Sequence, residues 1–181
     1  MLLTANFDRD EFGNVPPEYE GNVVALATTL QAFRTLAGVP FYITKPGGVY
    51  RSPEHNATVP GASATSQHLQ ARAADGTFVG ITNRELARRV MAAMKAGKFP
   101  QFGQMILYDY DTHTHISLPR TGKPNNQILY ARKGANGKPV YTPITQAADV
   151  PAVSRAAIQG GAVVGVMLAS LALSYFLPGG N

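Results

Sequence analysis

From Ala156 to Leu177 the chain runs for 22 residues without a charge, and this run limits where a water-soluble domain can end. At 1.5 Å per residue, a helix of that length crosses the roughly 30 Å of a bilayer's hydrocarbon core. Arg155 stands at one end, with Tyr175 and Pro178 at the other. Ala157, Gly161, Gly165 and Ala169 recur every four residues, a stripe of small side chains that lets two such helices approach closely. Residues 156–177 therefore read as a C-terminal transmembrane-type helix, with self-association through Gly161 and Gly165. Ahead of it, residues 119–155 carry Arg120, Lys123, Arg132, Lys133, Lys138 and Arg155 against Asp149 alone, which fits a positive cytoplasmic flank. The N-terminus has no basic leader, and Asp8, Asp10 and Glu11 interrupt any apolar run, so no signal peptide is expected.

The remaining residues suit one domain with a real core, since 45% of the chain is hydrophobic. Cysteine is absent, which excludes disulfide staples and thiolate ligands; a bound metal would have to be held by His and carboxylate. The net charge of +5 serves solubility and a membrane flank, and it suits an acidic polymer such as a bacterial wall. The sequence has no Gly-rich phosphate loop, recognition-helix motif or aromatic RNA-binding signature, so nucleic acid is not an expected partner.

Residues 1–18 are polar and turn-rich. A helix is expected over 19–37, because Val23, Leu26, Ala27, Leu30, Phe33 and Ala37 form one apolar stripe that Gly38 and Pro40 end. Residues 41–44 have strand composition. Residues 45–66 hold Gly47, Gly48, Gly61, Pro46, Pro53 and Pro60 and read mostly as loop, with a short helical turn starting at Ser52-Pro53-Glu54. Thr82 and Glu85 predict a capping box for a helix whose buried face is Leu86, Val90 and Met94 and which Gly97 stops. Residues 104–108 and 113–118 read as strands about a turn at 109–112. Residues 127–132 and 139–142 flank Asn136-Gly137, a hairpin signal.

The chemistry-bearing residues sit within that frame. His68 is followed seven positions on by Asp75, and far downstream comes His113-Thr114-His115. Neutral imidazoles and one carboxylate suit a divalent first-row ion such as zinc, and three ligands leave a tetrahedral corner open for water. His68 and Asp75 are too far apart for one helical face, so they are expected to converge from two strands joined by a turn. In His-x-His both imidazoles point to one side of a strand, so one can ligate while the other acts as a base.

Tyr50-Arg51-Ser52-Pro53-Glu54-His55-Asn56, Ser66-Gln67-His68-Leu69, Ala73-Ala74-Asp75, Gln104-Met105-Ile106 and His115-Ile116-Ser117 together resemble the zinc D-alanyl-D-alanine carboxypeptidase and murein endopeptidase family. The resemblance covers roughly residues 7–120. Phage and bacterial members of that family cut peptidoglycan peptides, and its core is shared with lysostaphin-type peptidases and the hedgehog signalling domain. It implies His68, Asp75 and His115 as zinc ligands, Arg51 as the grip on a peptide carboxylate, and Ser66 as a residue beside the metal. It places His55 where the family varies, so His55 reads as a loop residue. Ala71 stands where the family usually has Gly. Thr112 stands where many relatives carry an acidic residue, so the general base is expected to be His113, then Asp111, then Asp109.

The expected architecture is α+β, with helices on a small antiparallel sheet and the metal at the sheet's open face. The chain divides into a peptidase domain over 1–122, a hairpin and basic linker over 123–155, and the apolar helix over 156–177. The expected activity is zinc-dependent hydrolysis of a peptidoglycan peptide, by a protein held in a phage particle or a host inner membrane. The competing readings are a wall-binding or structural virion module that keeps the fold, and a zinc peptidase of another substrate, such as a maturation protease.

Overall fold

The computed structural model describes residues 1–44, 46–108, 113–135 and 137–150. The expected turn at 109–112 and the apolar run over 156–177 lie outside the described residues. Among the described residues, no helix is long and apolar enough to cross a membrane. The fold is mixed α+β, with helices α1 (Glu20–Ala37), α2 (Pro53–Thr58) and α3 (Asn83–Lys95). Six strands, β1 (Phe41–Ile43), β2 (Ala73–Phe78), β3 (Gln104–Tyr108), β4 (Thr114–Ser117), β5 (Gln127–Lys133) and β6 (Pro139–Pro143), form one sheet in the order β1-β2-β4-β3-β5-β6.

The apolar stripe of α1 is buried along its whole length, and Gly38 ends the helix at φ 66°, with its N–H donating to the Arg34 carbonyl. At the start of α3 the Thr82 hydroxyl accepts from the Glu85 N–H at 3.2 Å. The reciprocal half of the expected capping box does not form, because the Glu85 carboxylate is drawn to Arg88 and Arg89, each at 2.7 Å. Hydrogen bonds from Arg88 and then Arg89 hold the Glu85 carboxyl down to about 2. Arg89 also reaches the Ala37 carbonyl at 2.7 Å, so α3 caps the C-terminal end of α1.

The sheet is mixed rather than antiparallel throughout: β5 runs parallel to β3, and the other pairings are antiparallel. The cause lies in the β4–β5 connection. β4 ends beside the start of β3, where Gly103 N donates to the Ser117 carbonyl at 2.7 Å. One edge of β3 is already taken by β4. The short connection therefore delivers the chain to the other edge at β3's own start, where Asn126 N donates to the Phe102 carbonyl and Gln127 N to that of Gly103. From there β5 can only run alongside β3. Ile128, Tyr130, Ile144 and Val150 join the core shared with α1 and α3, so residues 127–150 are built into the same body as the rest of the sheet.

The edge strand β6 has its own safeguard. Lys138 and Ile144 bond towards β5, which turns the backbones of Pro139, Tyr141 and Pro143 outward. Two of those three outward positions lack an N–H.

Strand alternation gives the sheet two faces. Ala74, Phe78, Met105, Leu107, Ile116, Ile128 and Tyr130 pack with α1 and α3. The alternate residues, among them Asp75, Ile106, His115 and Leu129, point to the opposite face. The N-terminal stretch expected to be polar contributes Phe7 and Phe12 to the core, held by a 3-10 turn over Arg9–Phe12 that Asp8 caps.

Candidate metal centre

β2 and β4 place Asp75 directly opposite His115 in the antiparallel register. Both side chains rise on the face away from α1 and α3, and His115 Nδ1 lies 2.8 Å from Asp75 Oδ1. His68 arrives by a different route from the strand expected for it. It sits on a 3-10 turn, Gln67–Gln70, whose first residue is capped by Ser66: the Ser66 hydroxyl accepts from the His68 N–H at 3.4 Å. Ser66 thereby fixes the backbone that carries His68. Ala71 ends the turn at φ 52°, a left-handed conformation costing about 1–2 kcal/mol for a residue with a Cβ. Its fully buried methyl returns roughly 0.8 kcal/mol of that.

The orientation of His68 is set by the main chain. Its Nδ1 lies 2.9 Å from the Val49 carbonyl, which can only accept, so Nδ1 carries the proton. Nε2 is then the lone-pair nitrogen, and it faces His115 Nδ1 at 3.3 Å and Asp75 Oδ2 at 3.4 Å. The three residues offer one donor atom each within 4.8 Å of one another. Donors that each bond zinc at 2.0–2.2 Å stand about 3.2–3.6 Å apart around a tetrahedron. A small opening of the His115–Asp75 pair would therefore seat the ion. The donor set is neutral imidazole, neutral imidazole and carboxylate, and His68 has the carbonyl-braced second nitrogen typical of metal-bound histidine. Burial opposes ionisation of Asp75, but the hydrogen bond with His115 and the closeness of the His68 ring outweigh it and hold the carboxyl well below its usual range. Burial pushes the His115 imidazole below its usual value against the pull of Asp75, which favours the neutral form that a metal needs.

A family model described as Peptidase M15 matches residues 4–117, a span that contains all three donors. The chain belongs to the M15 family of zinc peptidases. No curated protein gives a match.

In this M15 peptidase, Arg51 stands at the metal centre. Its Nη2 pairs with Asp75 Oδ2, and its Nε donates to the Gly47 carbonyl at 2.9 Å. Its partner is thus the centre's own carboxylate, a placement that orients Asp75 and sets a guanidinium beside the three donors. His113 immediately precedes β4, two residues before His115, with its ring against Tyr108 at 4.2 Å between centroids. Asp109 and Asp111 lie outside the described residues. His55 is exposed and lies on α2, whose N-terminus is capped by Ser52, rather than in a loop.

The segment Gly47–Val49 is the part of the centre that sequence reasoning missed. The Gly48 carbonyl accepts from the Asp75 N–H at 2.7 Å, and the Val49 carbonyl holds His68, so two successive carbonyls brace two donors. The available signal was the Gly-Gly pair just before Tyr50-Arg51. A Cβ at Gly48 would stand 2.0 Å from the Thr44 carbonyl oxygen and 3.1 Å from that of Asp75. Both obstacles are backbone, so the segment itself must move. Gly48→Ala is therefore expected to cost about 3 kcal/mol by overpacking. It should also weaken zinc binding at least about tenfold through the lost bracing. Urea unfolding and zinc titration measure the two effects; an unchanged zinc affinity would refute the bracing role.

Proposed function

We propose that this M15 peptidase hydrolyses a peptide bond in bacterial peptidoglycan stems or cross-links. It would act while held in a membrane by residues 156–177, as a component of a bacteriophage particle. The observation that carries the hydrolytic reading is the His68 imidazole, pinned by the Val49 carbonyl so that Nε2 converges with Asp75 and His115. The peptidoglycan substrate rests on the family resemblance of the run from Tyr50 to Asp75. The membrane reading rests on the uncharged run and its basic flank.

His68, Asp75 and His115 would hold the zinc, and Arg51 keeps the Asp75 carboxylate turned toward it. Bound zinc supplies Lewis acidity, polarising a scissile carbonyl and making water acidic near pH 7. His113 takes the proton from the attacking water and returns it to the leaving amine, with Asp111 the next choice for that role. The guanidinium of Arg51, five donors in a planar fork, has the geometry to steady a substrate carboxylate beside the centre.

Purified sacculi incubated with the full chain should release soluble peptides. Release should stop with a chelator and return with added zinc. No release under any metal condition would end the wall-hydrolase reading. Thr112, in the place of a family acid, favours one rival, a wall-binding or structural module that keeps the fold. Zinc retention and sacculus binding without hydrolysis would identify it. Cleavage of particle proteins but not of sacculi would point to a maturation protease.

A further inference from the structure

α3 buries Leu86, Ala87 and Val90 and leaves Arg84, Arg88 and Lys95 exposed. At 3.6 residues per turn those three cations fall within about 40° of one another on the helix surface. Lys98 follows them, also exposed. Among the described residues, the other charged groups on α3 and on the Ala147–Asp149 turn packed against it are Arg89, Glu85 bridging Arg88 and Arg89, and Asp149, whose carboxylate accepts from Thr145 and Gln146. With Lys98, these described residues set five cations against two carboxylates.

The last described residue lies against this helix. Val150 is 1% exposed, and its carbonyl accepts from Arg84 Nε at 2.7 Å. Only residues 151–155 separate Val150 from the uncharged run, and five residues reach at most about 18 Å. A membrane-embedded run would therefore hold α3 close to the headgroups.

We infer that the stripe Arg84, Arg88, Lys95 and Lys98 seats on an anionic lipid surface and so orients the enzyme. Asp75 and His115 rise from the sheet face opposite α3, so a domain lying on this stripe presents its metal centre away from the bilayer. The inference rests on the membrane reading of residues 156–177 and is tested separately from it.

The chain has no cysteine, so single-cysteine variants carry one fluorophore each. Full-length Ala92→Cys reports the stripe, Ala64→Cys the loop before His68, and Val163→Cys the uncharged run. Each is reconstituted with vesicles of phosphatidylcholine, with or without phosphatidylglycerol, that carry a headgroup nitroxide quencher. On anionic vesicles the label at position 92 should lose at least about half its emission while that at position 64 is unchanged. Adding Arg88→Gln and Lys95→Gln should return position 92 to its level on neutral vesicles. A lipid-shielded label at 163 with no quenching at 92, or equal quenching at 92 and 64, would overturn the inference. A water-exposed label at 163 would end the membrane-span reading instead. In that case quenching at 92 on anionic vesicles would still support the stripe as a lipid contact, and its absence would end both.

Discussion

Asp75→Asn should leave a folded protein that no longer retains zinc, with peptide release reduced more than about a thousandfold, beyond the 10- to 100-fold typical of residues that merely orient a ligand. The substitution keeps shape and removes charge. It takes away the negative member of the three described donors and with it the counter-charge of Arg51, whose guanidinium sits against Asp75 Oδ2. The side chains of Asp75 and Arg51 are 14% and 15% exposed, so the stranded cation should cost stability as well, up to about 3 kcal/mol. Zinc titration, peptide release and urea unfolding of the same preparation measure the three effects. Wild-type zinc affinity in Asp75→Asn would remove this residue from the centre. Acid should act on the same cluster. Asp75 and His115 both have folded-state pKa values below their ordinary ones, 3.8 and 6.5. The unfolded chain therefore binds these protons first. The stability they confer is complete above pH 6.5 and is lost as pH falls, first through His115 and then through Asp75. The urea midpoint of the zinc-free protein should decline below pH 6.5, and a flat profile down to pH 4 would contradict this.

His113→Ala should keep zinc at one equivalent and lose about 10²- to 10⁴-fold in turnover, the range carried by a positioned acid–base group. His113 precedes His115 by two residues, the spacing that puts successive side chains on one face of a strand. Its ring rests on Tyr108, which sits on the same sheet face. A purely structural role would be expected to lower stability or zinc content. A base would be revealed by loss of the acidic limb of the pH–rate profile with zinc and fold intact. Wild-type turnover in His113→Ala would pass the role to Asp111, and the same experiment on Asp111→Asn would then decide.

The reach of the sequence is clearest where interactions are local. The α1 stripe, the Thr82 cap and the strand at 104–108 follow from periodicity and short-range chemistry, and they stand where the residues place them. His68, Asp75 and His115 are brought together as donors, although no spacing rule fixes that meeting. What escaped depends on distant partners. Residues 66–71 look extended because His68 and Asp75 must converge, yet Ser66 and the left-handed Ala71 wind them into a turn. The parallel β3–β5 pairing follows from which edge of β3 was already occupied, a fact of topology rather than composition. The bracing by Gly48 and Val49 uses backbone carbonyls, which every residue has, so only the missing side chains at Gly47 and Gly48 hint at it. Phe7 and Phe12 lie among polar neighbours whose charges are spent on capping a short turn.

The prolines at the free margin of β6 bear on crowding. Proteins tethered to one membrane are confined to two dimensions, where collisions between like surfaces are frequent. A strand that offered a full row of amide donors would invite neighbours to zip together into continuous sheets. With Pro139 and Pro143 facing outward, Tyr141 alone among those three positions keeps its donor. On the membrane tether proposed above, high surface density should therefore leave these domains separate from one another.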